Sequence, residues 1–153
     1  MIIGTILRGI ILTALVGSLA LVFFGEAHGA TGSVIKLKVD GVNPTRGTLR
    51  AALVNSKEAY TEDGQAVMVQ SVPVRQGQEE VVFQNVPFGT YAIKVFYDEN
   101  DNSELDTNFI GIPTEKYGFS NNARSKLGLP DFEKVKFQVN APEVKLDIAV
   151  EHY

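Results

Sequence analysis

Residues 85–98 read N-V-P-F-G-T-Y-A-I-K-V-F-Y-D. Pro87 and Gly89 frame a tight turn, because proline presets φ and glycine accepts a positive one. Behind the turn, Tyr91, Ile93, Val95 and Tyr97 alternate with Ala92, Lys94 and Phe96. Alternation with a period of two is a strand. Apolar groups on both of its faces place it in the centre of a sheet. Tyr91 stands where a corner tyrosine would bond back to the backbone just upstream.

Short strands extend outward from this one. Residues 31–40 (T-G-S-V-I-K-L-K-V-D) set Ile35, Leu37 and Val39 against Lys36 and Lys38. Residues 41–47 hold Asn-Pro and a glycine, a turn signal. Thr48 to Asn55 forms a second strand with Leu49, Ala51 and Leu53 on one face. Ser56 then offers an N-cap for one helical turn before Asp63-Gly64. Ala66 to Arg75 is a third strand, but Pro73 cannot donate to a ladder, so it belongs at an edge or a bulge. Glu79 to Val86 alternates again, with Val81 and Phe83 inward. Downstream, Glu99 to Asp131 is a roughly 30-residue stretch with little periodicity, and a loop that long is usually functional. Lys134–Val139 and Val144–Val150 alternate around Asn140-Ala141-Pro142 and read as a closing hairpin. About seven short strands and almost no amphipathic helix predict an all-β fold. The expected architecture is an antiparallel immunoglobulin-like or transthyretin-like β-sandwich, with one long loop after the central strand.

The start of the chain reads differently. Arg8 precedes an uncharged apolar run from Gly9 to Phe24, and small residues follow through Ala30. An apolar run of about 16 residues with these flanks is the layout of a secretory signal peptide. It is shorter than the roughly 20 residues of a spanning helix. Residues 1–30 are therefore assigned as a signal peptide cut within 27–30, and residues 31–153 as one β-sandwich domain. The expected location is exported, periplasmic or extracellular, with membrane attachment only through an uncleaved leader. Removing Arg8 and Glu26 leaves the net charge of −4 unchanged. That balance argues against nucleic-acid partners, which select basic stripes. The chain has no cysteine, which excludes disulfides and thiolate chemistry. It has two histidines, and cleavage would leave only His152. Histidine triads and histidine zinc sites are thereby excluded from the mature chain.

The long loop opens with D-E-N-D-N-S-E-L-D-T-N, Asp98 to Asn108. Oxygen-bearing side chains recur at alternate positions, as in loops that wrap a hard cation. The candidate metal ligands are Asp98, Asn100, Asn102, Asp106 and the Glu104 carbonyl, and the candidate ion is calcium. A true EF-hand is excluded. A strand leads in, Ser103 stands where the sharp turn wants glycine, and Phe109 stands where the bidentate glutamate belongs. The competing reading is a polar turn whose Asx side chains cap their own backbone. Next, F-I-G-I-P-T-E-K-Y-G-F-S-N-N spans Phe109 to Asn122. Asn108, Glu115, Tyr117, Phe119, Asn121 and Asn122 are its candidate ligand- or partner-contacting residues. The competing reading folds the aromatics down as a small core of their own.

These stretches, from V-P-F-G-T-Y-A-I-K-V-F-Y-D through G-I-P-T-E-K-Y-G-F-S-N-N to Leu129-Pro130-Asp131-Phe132, resemble the exported bacterial family called domain of unknown function 2141. Ser103 departs from that family's pattern, which has glycine there. The P-F-G-T-Y turn is distantly similar to transthyretin-like and carboxypeptidase-regulatory-like modules. The resemblance implies an exported β-sandwich and no activity, and fold kinship alone supplies none. The expected function is a non-enzymatic module binding a ligand, or a protein or glycan of the cell envelope, with a cation-ordered acidic loop. The alternative is a structural envelope protein without ion binding. A hydrolase using loop carboxylates ranks below both, because no nucleophile elbow, phosphate loop or histidine base accompanies them.

Overall fold

The computed structural model describes residues 32–42, 46–61, 64–75, 79–126 and 128–152. The leader assigned to residues 1–30 lies outside them. Among the described residues no helix is long and apolar enough to cross a membrane.

Eight strands among these residues form two facing sheets, an all-β sandwich. They are β1 (Ser33–Asp40), β2 (Thr48–Val54), β3 (Met68–Pro73), β4 (Glu80–Val86), β5 (Gly89–Asp98), β6 (Tyr117–Phe119), β7 (Phe137–Val139) and β8 (Glu143–Ala149). One sheet has the order β4-β1-β8. The other has the order β3-β2-β5-β6, with β7 also paired to β5. The inward rows meet between the sheets. Ile35, Leu37 and Val39 of β1 pack with Leu49 and Leu53 of β2, Phe83 of β4, and Ile93, Val95 and Tyr97 of β5. Burying each such aliphatic or aromatic side chain is worth about 1.5–3 kcal/mol.

The central strand is where its two-faced pattern puts it, with β5 pairing β2, β6 and β7. The Tyr91 hydroxyl donates to the Pro87 carbonyl at 3.0 Å, closing the expected tyrosine corner. β3, which carries Pro73, is an edge strand. Ser56 caps α1 (Lys57–Thr61), its Oγ accepting the Ala59 N–H at 3.1 Å.

Three expectations need correction. The last two strands are not a hairpin, because β7 pairs antiparallel with β5 while β8 pairs parallel with β1 in the other sheet. The Asn140–Pro142 link passes between the layers, and its Pro142 carbonyl accepts the Val34 N–H at 2.9 Å. The parallel pair also makes the sandwich mixed. Lys134 and Val135 are not strand, since α2 (Phe132–Val135) precedes β7. Finally, the long loop contains β6, which pairs Phe119 with Lys94 and Tyr117 with Phe96.

β6 also bonds to the chain just beyond β8. Tyr117 and Glu151 exchange both backbone hydrogen bonds at 3.1 Å. This close approach fixes Gly118, where a Cβ would lie 2.6 Å from the Ala149 carbonyl oxygen and 2.8 Å from Ile148 Cγ2.

Candidate functional site

The side chains of β5 that point away from the core are Ala92, Lys94, Phe96 and Asp98. They run in order along the outer face of the larger sheet. The ladder sets Val54 beside Ala92, Ala52 beside Lys94, Arg50 beside Phe96 and Thr48 beside Asp98. Each level of this face is covered differently.

At the Ala92 level a second apolar cluster covers it. Val54, Ala92, Phe119 and Val135 gather around the fully buried Tyr60. Tyr60 meets Phe119 edge-on at 6.0 Å and Phe132 at 5.9 Å. Phe119 therefore belongs to a small core rather than to a free binding loop. Tyr117 lies at the rim of that core, 5.7 Å from Phe119.

At the Asp98 level the acidic loop covers the face. Asp98 is fully buried. Its Oδ2 accepts from Arg50 Nε at 2.6 Å and from the Ser103 N–H at 2.9 Å, and its Oδ1 accepts from the Asn102 N–H at 3.1 Å. Burial alone would raise its pKa. The Arg50 hydrogen bond, the Ser103 and Asn102 amides and the Arg50 charge outweigh it and hold the carboxyl below its ordinary range. The rest of the loop is a relay of Asx caps. Asn100 Oδ1 accepts the Asn102 N–H and Asn102 Oδ1 accepts the Glu104 N–H. Their Nδ2 groups donate to the two oxygens of Asp106 at 2.7 and 2.9 Å. Glu115 is buried, and its oxygens accept the Glu99 and Asp106 N–H groups at 2.9 and 3.2 Å.

The five residues read as metal ligands thus divide. Asn100, Asn102 and Asp106 come together. Asp98 is turned to Arg50, and Glu104 is exposed. Among the described residues no group of three or more acidic or histidine side chains is placed to hold a metal ion. Both asparagine oxygens already face backbone donors. Turning them toward a cation would undo two Asx caps and two carboxylate bonds, each worth about 1 kcal/mol or more. We therefore expect equal melting temperatures in millimolar calcium and in chelator. A site filled at a hundred times its Kd would add about 2.7 kcal/mol, and a rise of roughly 5–10 °C with calcium would contradict this account of the loop.

Ser103 adopts φ 74, the left-handed region. The departure from glycine thus falls at a position where glycine is the unstrained residue. Ser103→Gly is expected to stabilise the domain by about 1 kcal/mol in urea unfolding, and a destabilised variant would show that the serine is not strained.

The remaining candidates also hold structure. Asn108 Oδ1 accepts the Ile110 and Ile112 N–H groups and shapes the loop tip. Asn121 and Asn122 take φ of 61 and 50. Asn121 Nδ2 donates to the Lys134 and Lys136 carbonyls, and Asn122 bonds Asp147 O and Ala149 N. These carboxamides fasten the loop to α2 and β8 instead of facing a ligand. At the tip, Phe109 is 99 % exposed and Ile110 63 %.

Between the two covered ends lies an open groove of about 910 Å³. Its floor is Arg50, Ala52, Lys94 and Phe96, with Val69 and Ser71 of β3 on one side and Tyr117 on the other. One wall is the loop at Leu105, Ile112 and Pro113, and the other is Ser125, Lys126, Gly128 and Leu129. Val69 is 64 % exposed, Ile112 45 % and Leu129 45 %. Of the residues picked out from the sequence, the groove contains only Tyr117 and Phe119. The signal that could have found it is Phe96, a large apolar side chain on the non-core face of β5, beside Arg50 of β2.

The family model described as uncharacterized protein conserved in bacteria (DUF2141) matches residues 37–147. No curated protein and no solved structure matches the chain.

Proposed function

The chain belongs to the DUF2141 family of uncharacterized bacterial proteins, and on that footing we propose that it is an exported, non-enzymatic binding module whose ligand sits in the outer-face groove. The groove carries this reading. Its volume of about 910 Å³ falls within the roughly 300–1,000 Å³ of small-molecule sites. Its walls combine exposed aliphatic side chains with a few polar groups, the usual make-up of such sites. Hydrogen bonds fix its acidic-loop wall, so that side needs little ordering on binding. Export is supported by the leader pattern of residues 1–30. A non-catalytic role is supported by the local engagement of the loop carboxylates with backbone amides and Arg50.

A neutral naphthylamine dye, which brightens in apolar surroundings, tests this. Its fluorescence should rise with the wild-type protein. The rise should be lost in Val69→Glu combined with Ile112→Glu, two exposed positions whose exchange leaves the melting temperature in place. Equal dye binding by the variant would remove the groove from the account.

A further inference from the structure

We propose that β3 is the edge through which two copies of this chain pair, each β3 lying antiparallel to the other about a two-fold axis at Gln70. The pairing stands independently of what the groove holds. It starts from unused backbone groups. The Val74 N–H donates to the Gly47 carbonyl at 2.8 Å, one step beyond the Thr48–Pro73 pair of the β2–β3 ladder. Antiparallel ladders alternate, so Met68, Gln70 and Val72 turn their backbone groups toward β2, while Val69 and Ser71 turn theirs outward. Among the described residues nothing bonds the outward amides and carbonyls of Val69 and Ser71. Both residues are exposed, Val69 by 64 %.

The other sheet edges carry the features that deter pairing. β6 is bonded to Glu151. β8 bears Lys145 and Asp147, and Asn122 occupies its Asp147 carbonyl and Ala149 amide. β4 opens with Glu79-Glu80, and Asn85 near its end takes φ 56. β3 has none of these guards except Pro73. Residues 64–74 (G-Q-A-V-M-V-Q-S-V-P-V) hold no charge, so two copies meet there without like charges at the seam, although each chain carries −4 overall.

The occupant and its register follow from Pro73. About Gln70, Val69 of one copy faces Ser71 of the other, and each such pair exchanges two hydrogen bonds. The same register sets Pro73, which has no N–H, opposite Val67, whose N–H already goes to the Leu53 carbonyl at 2.8 Å. The ladder thus ends where both copies run out of donors. A foreign strand continuing past that point would present a carbonyl to Pro73 and find no donor. Self-pairing also covers Val67 and Val69, both exposed large aliphatics, against their neighbours across the seam.

Sedimentation velocity of the protein at rising micromolar concentration should show a monomer–dimer equilibrium, with hydrogen exchange at the Val69 and Ser71 amides slowing as the dimer fills. Ser71→Pro deletes one outward donor per copy and no bond to β2, so it should weaken dimerisation about tenfold while the monomer stays folded. Gln70→Cys, in a chain with no other cysteine, should close a disulfide across the axis under mild oxidation, because facing residues of a non-hydrogen-bonded pair lie about 4.5 Å apart at Cα. Ser71→Cys should not cross-link, since the register sets it opposite Val69 and not opposite itself. A monomer at every concentration overturns the proposal. So does a dimer that ignores Ser71→Pro, or one that cross-links through Ser71→Cys as readily as through Gln70→Cys. A monomer whose Val69 and Ser71 amides are protected only by an added extended peptide would give the edge to a foreign strand and overturn it as well.

Discussion

Arg50→Met is expected to lower the unfolding free energy by about 3–5 kcal/mol at neutral pH, the usual result of stranding one member of a buried ion pair. Asp98 is fully buried and Arg50 Nε sits 2.6 Å from its Oδ2. Without the guanidinium the carboxylate retains only the Ser103 and Asn102 amides. The deficit should depend on pH. In the wild type the folded carboxyl lies below its ordinary value of 3.8, so the stability it supplies is fully present above that value. That stability is lost as the pH falls through the folded pKa. In the variant the unpaired carboxylate is destabilised by burial, and protonation relieves it. The gap between the two proteins should therefore be widest near neutral pH and should narrow on acidification below 3.8. Urea unfolding at both pH values measures this. Asp98→Asn in the Arg50→Met background should recover part of the loss at neutral pH. A gap of equal size at both pH values would show that Arg50 acts by packing rather than by charge.

Gly118→Ala is expected to destabilise the domain by about 2–3 kcal/mol, the upper part of the range for overpacking. The added Cβ would meet the Ala149 carbonyl oxygen at 2.6 Å, and that atom is backbone already engaged in the β1–β8 layer. Relief requires β6 to separate from β8, which breaks the paired Tyr117–Glu151 hydrogen bonds. Tyr117 flanks the groove, so dye binding should weaken along with stability. Gly118→Val should be worse than Gly118→Ala, because the clash is steric and grows with side-chain size. A Gly118→Ala protein within about 0.5 kcal/mol of the wild type would show that the two strands part freely.

Most of the sandwich was legible because its signals are local. Tyr91, Ile93, Val95 and Tyr97 alternate, Pro87 and Gly89 mark the turn, and Pro73 marks the edge strand. What local pattern cannot tell is which strand a segment joins. Lys134–Val139 and Val144–Val150 looked like a hairpin, and β8 instead lies parallel to β1, far away in sequence. β6 escaped notice because three residues are too few to show a period. The acidic loop was legible as a place and ambiguous as a chemistry. Alternate Asx residues suit a cation and suit Asx caps equally well. The bonds of Asn100 and Asn102 to backbone amides and Asp106 belong to the second case. Glu115, Asn121 and Asn122 stood out as polar groups in a loop, but each serves backbone amides or carbonyls that a long ordered loop must satisfy. The groove was hidden for the opposite reason. Arg50, Ala52, Val69, Lys94 and Phe96 come from three strands and share no motif, and only the order β3-β2-β5-β6 brings them to one face.

The central claim is that the ligand site is this outer face and not the acidic loop. Amide chemical-shift mapping during titration with the neutral naphthylamine dye tests it most directly. The largest changes should fall at Ala52, Val69, Lys94, Phe96, Ile112 and Tyr117, with the amides of Asn100, Asn102 and Glu104 nearly still. Changes centred on Asp98–Asn108, with the strand residues unmoved, would contradict it.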